Sequence, residues 1–305
     1  GAGGALAPVA RTTGSTPVPV GTKMLSGPAG RLAGSVGGGC VEADVIEAAV
    51  DARRHGPRIL THHLNADVAG DLGLSCGGTV EIVVEPLVAV PEYVQALEQV
   101  AASLAGILTT GLDWSSGPVK RFSPQTVGPG EPAAALSEDR RSLVERLVPA
   151  PRVIVFGAGH VGSAIALAAA AAGFQALVLD DRSEFADPSR FPPHISVSTA
   201  PAHDALGRFA ITAADAVVIA TRGHRHDALI LERVAPSSAS YVGLLGSRRK
   251  KSVVTKALAQ AGVPLEALER VRVPVGLAIG AVTPEEIAVS VVAELIAWRR
   301  GAATA

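Results

Sequence analysis

The chain has 305 residues, 48% of them hydrophobic, enough apolar material for two domains. Only 3% is aromatic and the net charge is −1, which leaves no electrostatic case for nucleic acid or a membrane surface. The two cysteines make no disulfide framework, and the most apolar stretch, residues 164–173, is too short to span a bilayer, so a soluble, cytoplasmic protein is expected.

Short strand-like runs occur at residues 6–11, 22–25, 58–64 and 79–86, separated by Gly- and Pro-rich turns. After Gly39, residues Val41, Val45, Ile46, Ala49 and Val50 recur at helical spacing, and a second helix is expected over 91–104. Residues 106–132 are rich in Gly, Pro and Ser and read as an edge of the first domain running into a connection. Residues 137–147 read as a polar helix, and Pro149-Ala150-Pro151 marks a boundary. Residues 1–150 therefore form an N-terminal α/β domain.

Residues 151–305 alternate strand and helix. The runs 153–156, 176–179, 195–198, 216–220 and 240–243 are short, apolar and largely β-branched, as in strands buried on both faces. Helical runs at 161–172 and 247–261 lie between them, and a capping box with Pro at the first helical position opens a last helix over 284–298. The order predicts a Rossmann-like parallel sheet with helices on both faces.

The chemistry-bearing motifs fall in loops. Gly157-Ala158-Gly159-His160-Val161-Gly162 joins a strand to an Ala-rich helix, and Asp180 lies 23 positions beyond Gly157 at the end of the next strand. Gly157 makes the tight turn, Gly159 lets backbone amides approach a phosphate, and Gly162 permits close helix packing. If the ligand is a dinucleotide, Asp180 is placed to accept from a ribose diol; otherwise it reads as an N-cap carboxylate in a solvated loop. Arg222 and His224 lie in a loop on the same edge of the sheet, as do Gly246, Ser247 and Arg248, where cations at a helix start suit a bound phosphate. His224 and His226 lack the further ligands of a metal site, so no metal is expected. In the first domain, Gly38 and Gly39 lead into a helix carrying Cys40, whose thiol the helix dipole favours as thiolate. Cys76, followed by Gly77 and Gly78, sits in a similar setting. The bland alternative for either cysteine is an inert buried packer.

Together, Gly34-Ser35…Gly38-Gly39-Cys40-Val41-Glu42, Gly73-Leu74-Ser75-Cys76-Gly77-Gly78, Gly157-Ala158-Gly159-His160-Val161-Gly162, Tyr241-Val242-Gly243-Leu244-Leu245-Gly246-Ser247-Arg248 and Pro284-Glu285-Glu286-Ile287-Ala288 resemble the XdhC-type xanthine dehydrogenase accessory family. The resemblance implies a maturation factor that binds molybdenum cofactor, supports its sulfuration and delivers it to a xanthine dehydrogenase-type molybdenum hydroxylase. A cysteine desulfurase and a homodimer are the further partners it suggests. It implies that the amide-rich loops and Arg248 hold the cofactor's phosphate, while Cys40 and Cys76 face its sulfur or molybdenum end. Two positions depart from the family pattern: Ala278 and Val282 stand where an Asp and a Glu are usual. The residues alone leave two other readings open, an NAD(P)-dependent oxidoreductase using His224 or Cys40 and a scaffold that keeps the fold without the ligand.

Overall fold

A computed structural model of the chain describes residues 4–64, 77–87, 91–101, 104–125, 132–201, 204, 206–207 and 210–302. The chain divides into two compact units, Gly1–Pro149 and Ala150–Ala305.

The first unit holds β1 (Ala5–Thr13), β2 (Lys23–Gly27), β3 (Gly30–Gly34), α1 (Gly39–His55), β4 (Arg58–Leu64), β5 (Gly78–Pro86), α2 (Pro91–Ala101), β6 (Gly106–Gly111), β7 (Lys120–Pro124), β8 (Ala134–Leu136) and β9 (Ser142–Leu147). Strands β3-β2-β1-β5-β4 form an antiparallel sheet. The helical spacing of Val41, Val45, Ala49 and Ala52 gives α1 one apolar face, which packs on Val9, Val80, Ile82 and Val84 of the sheet. Strands β7-β6-β9-β8 form a second antiparallel sheet. A buried ion pair ties the two sheets together: Lys120 Nζ donates to both oxygens of Glu85 at 2.9 and 2.7 Å and to Thr110 at 2.9 Å. Burial pushes the Glu85 carboxyl above its ordinary range although the Lys120 charge pulls it down.

Two expectations for this unit are corrected. Residues 137–147 are not a helix: Arg140, with φ of 58°, makes a turn into β9, and Ser137 accepts the Ser142 amide across it. Leu143 and Glu145 are both buried, one as core and the other as a partner of Lys23 at 2.7 Å. An inward-facing charge breaks the apolar alternation that announces a strand, and the segment then reads as a polar helix. Residues 106–132, read as an edge of the first domain running into a connection, carry the two strands β6 and β7. Gly106 belongs there because a Cβ would fall 2.4 Å from the Phe122 ring across the pair.

The second unit holds β10 (Arg152–Phe156), α3 (His160–Ala171), β11 (Gln175–Asp180), β12 (Ser196–Thr199), β13 (Asp215–Ile219), α4 (His224–Val234), β14 (Tyr241–Leu244), α5 (Arg248–Gln260), α6 (Leu265–Glu269) and α7 (Pro284–Arg300). The five strands are parallel in the order β12-β11-β10-β13-β14, the doubly wound arrangement. Alternate residues of each strand enter opposite cores. Val153, Val155, Val178 and Val218 meet α3 and α7, whereas Ile154, Phe156, Leu179 and Ile219 meet α4, α5 and α6. Helices thus cover both faces. Beyond β14 the chain returns alongside it: the Leu244 amide donates to Arg272 O and the Arg272 amide to Val242 O, both at 2.9 Å. Among the described residues, no helix is long and apolar enough to cross a membrane.

Candidate cofactor-binding site

Strand order reverses about β10, so the loops leaving β10, β11 and β13 open a crevice at their carboxyl ends. Sterics dictate the glycines of the first loop. Gly157 has φ of 104°, and a Cβ there would lie 2.4 Å from Ala220 O; at Gly162 it would lie 1.8 Å from Gly157 O. Gly159 differs. Its φ is −66° and nothing lies within 4 Å of a Cβ built on it, so this glycine leaves open space before the first amides of α3. No side chain caps those amides, and exposed His160 is the first residue of the helix. An uncapped helix start with open space before it favours an anion.

Asp180 ends β11, buried at the head of the crevice. Its Oδ1 accepts from the Arg182 amide at 3.0 Å and Arg182 Nε at 2.9 Å; its Oδ2 accepts from the Ala158 amide at 2.8 Å and Arg182 Nη2 at 2.9 Å. Burial alone would raise this carboxyl, but the hydrogen bonds from Arg182 and Ala158 outweigh it and hold Asp180 below the ordinary aspartate range. A carboxylate has about four acceptor positions, and here all four are taken. Arg182 also stacks on Phe185, 3.7 Å from the ring centre. The carboxylate that sequence spacing assigns to a ribose is therefore a strut between the glycine loop and Arg182.

Beside this strut lies a cavity of about 270 Å³. Phe156, Leu179 and Ile230 make its floor, and Asp181, Arg182, Arg222 and His226 stand among its lining residues. Arg222 Nη2 pairs with Asp181 at 3.2 Å, both half exposed. Gly157, Asp180 and Arg222 are thus brought together. His224 opens α4 behind an uncapped Gly223; its side chain is not among the described atoms.

Ser247 caps α5, accepting the Lys250 amide at 3.3 Å. Arg248, however, lines a separate recess along α5 with Lys251, Thr255 and Leu265. Gly246 serves Lys250, whose chain folds over it. Sequence reasoning missed the partner of that lysine. Lys250 Nζ pairs at 2.5 Å with Asp227, which is fully buried and accepts from Thr221 Oγ1 at 2.6 Å. It also missed Glu294, which accepts from Tyr241 Oη at 2.7 Å, Arg272 Nη1 at 2.7 Å and the Gly276 amide at 2.6 Å. A Glu at a core position of a helix pattern was the available signal for the second.

In the first unit, Gly37, Gly38 and Gly39 have φ of 126°, 78° and 53°, a run that only glycine adopts without strain. Nothing lies within 4 Å of a Cβ at Gly38 or Gly39. Cys40 follows as the second residue of α1, exposed. Ser35 donates to Glu42 at 2.5 Å and holds the loop against the helix. Gly77 is exposed and open, whereas Gly78 answers to packing: a Cβ there would fall 2.3 Å from Ser15 O. Cys76 lies outside the described residues. Among those described, no group of three or more His, Cys, Asp or Glu side chains could hold a metal ion.

A family model described as the XdhC Rossmann domain matches residues 153–295, and one described as the XdhC and CoxI family matches residues 1–63. The chain is 31% identical, over 97% of its length and 93% of the relative's, to a Bacillus subtilis protein described as a probable xanthine dehydrogenase subunit. The chain belongs to the XdhC family. This XdhC-family chain is also 24% identical, over 98% of its length and 84% of the relative's, to the molybdenum cofactor insertion chaperone PaoD of Escherichia coli. Its structure matches a crystal structure described as a xanthine dehydrogenase from Bacillus halodurans with a TM-score of 0.82 and 26% identity, covering 98% of this chain and 92% of that one. The two family-pattern departures, Ala278 and Val282, both lie on a segment before α7, with Val282 80% exposed.

Proposed function

We propose that this XdhC-family chain is an accessory protein that binds molybdenum cofactor and passes it to a xanthine dehydrogenase-type molybdoenzyme. The observation that carries the reading is the open, uncapped start of α3 behind Gly159, which suits the phosphate common to every form of that cofactor. The cofactor, once delivered, supplies molybdenum chemistry to the client. The chain's own part is binding and release: amides of the glycine loop take the phosphate, and His160 lies beside them. In the first unit, taken by itself, the exposed thiol of Cys40 is the candidate group for handling sulfur, and Cys76 is a second candidate. Arg248 lines a different recess, with Lys251 and Thr255, and is a separate candidate contact for an anion. Support for sulfuration, in which a cysteine desulfurase would be the sulfur donor, comes from the exposed Cys40.

The competing oxidoreductase reading is weakened by Asp180, whose acceptor positions are filled by Arg182 and Ala158. Purification under native conditions followed by pterin fluorescence and mass spectrometry tests the proposal. Bound pterin lost in the Gly159→Asp variant is expected; protein that never carries or takes up pterin would overturn it. Cys40→Ala is expected to keep bound pterin but to slow activation of the client enzyme.

A further inference from the structure

The cavity between the ends of β11 and β13 is shaped for more than a phosphate. Its floor of Phe156, Leu179 and Ile230 is apolar and buried, and Leu229, 59% exposed, stands at its mouth. An apolar cavity of this size can take a ring. Among the described residues, Arg222 is anchored only by an exposed pair with Asp181, so its guanidinium can turn to stack on a ring or meet an anion. His226 adds a polar group able to bond the edge of a heterocycle, and Thr221 Oγ1, whose proton goes to Asp227, can still accept. The cavity also reaches Gly157, so a ligand can run from the slot to the amides of α3.

Between those two ends a ribose would pass Asp180, and here the chemistry departs from that of a dinucleotide-binding fold, in which the equivalent acid accepts from the ribose hydroxyls. All four acceptor positions of Asp180 are used. Gripping a ribose would require giving up the Ala158 amide or the Arg182 fork, and an orphaned buried amide is costly.

We infer that this cavity holds a nucleoside phosphate by its base and its phosphate and not by its ribose. A nucleotide-extended molybdenum cofactor and a free nucleotide share that chemistry. The first source rests on the cofactor-binding reading above; the cavity itself does not.

Calorimetric titration of the whole chain decides the matter, using cytidine, guanosine and adenosine monophosphates, their 2′-deoxy forms, the bare nucleosides, NAD, and molybdopterin with and without its nucleotide. At least one monophosphate is expected to bind, with its 2′-deoxy form within about twofold and the bare nucleoside weaker by about tenfold or more. Arg222→Ala and Leu229→Glu, both surface changes, are expected to weaken that binding by about tenfold without altering the fold. A ribonucleotide preferred by about tenfold over its deoxy form would overturn the inference, because it returns the ribose to Asp180. Absence of binding by any monophosphate at millimolar concentration would overturn it too. A chain that binds nucleotide-free molybdopterin but no monophosphate sinks this inference and spares the cofactor reading. Binding of monophosphates but of neither cofactor form does the reverse and makes the cavity a free-nucleotide site.

Discussion

Lys250, in the first turn of α5, turns its ammonium inward to within 2.5 Å of Asp227, a carboxylate in the first turn of α4 with no exposed surface. Two helices that follow different strands are thereby locked start to start. Lys250 also donates to Leu245 O at 2.8 Å, so the loop after β14 is held by the same group. A cation at a helix start opposes the macrodipole; here the buried carboxylate offsets that cost.

Breaking this pair leaves a buried charge alone. Asp227→Ala and Lys250→Ala are each expected to destabilise the second unit by about 3–5 kcal/mol, whereas the double change to apolar residues of similar size recovers much of the loss. With Trp114 replaced by Phe, the fluorescence of Trp298, which lies 5.9 Å from Tyr241, follows urea unfolding of the second unit alone.

The glycines of the 157–162 loop separate by what a methyl would meet. Gly162→Ala drives a Cβ to 1.8 Å from Gly157 O and is expected to unfold the loop or cost more than about 3 kcal/mol. Gly159→Ala meets nothing and keeps an ordinary φ of −66°, so its stability should change by less than about 0.5 kcal/mol. Comparing denaturation midpoints of the two variants checks the contrast.

Asp180 gives the second unit an acid limb. Its carboxyl titrates below the ordinary value of 3.8, so the stability it contributes is fully present above about pH 4 and is lost as pH falls through the folded value. Melting temperatures between pH 5 and pH 2 should fall less steeply in Asp180→Asn than in the parent. Equal slopes would show that the strut contributes nothing.

In the first unit, Lys120→Met removes the partner of Glu85 and the neighbour of Tyr93, whose hydroxyl burial pushes up to about 12. The variant is expected to lose about 3–5 kcal/mol near neutral pH. Burial already raises Glu85, so without Lys120 it should protonate more readily, and part of the lost stability should be recovered as pH falls. Denaturation of the variant at two pH values reads both effects.

Fold class and the glycine loop were legible because sterics and periodicity act locally. Gly157 and Gly162 are forced by close backbone approach, and the parallel strands are apolar on both faces. What stayed hidden depended on where a long side chain turns. Arg182 lies two residues from Asp180, and no pattern says that it folds back to fill the carboxylate. Arg248 and Lys250 are two positions apart on a helix and so point about 200° apart, one outward and one to Asp227. Glu145 misled for the same reason, since its inward turn towards Lys23 disguised a strand.

The return of residues 272–275 along β14 has a consequence for association. Backbone groups of Val242 and Leu244 that would otherwise face outward are already bonded to Arg272 and Val275. A row of such groups, left free, templates pairing with a neighbouring chain. At this border of the sheet the protein supplies its own selvedge, so β14 itself is not free to pair with a strand of another copy.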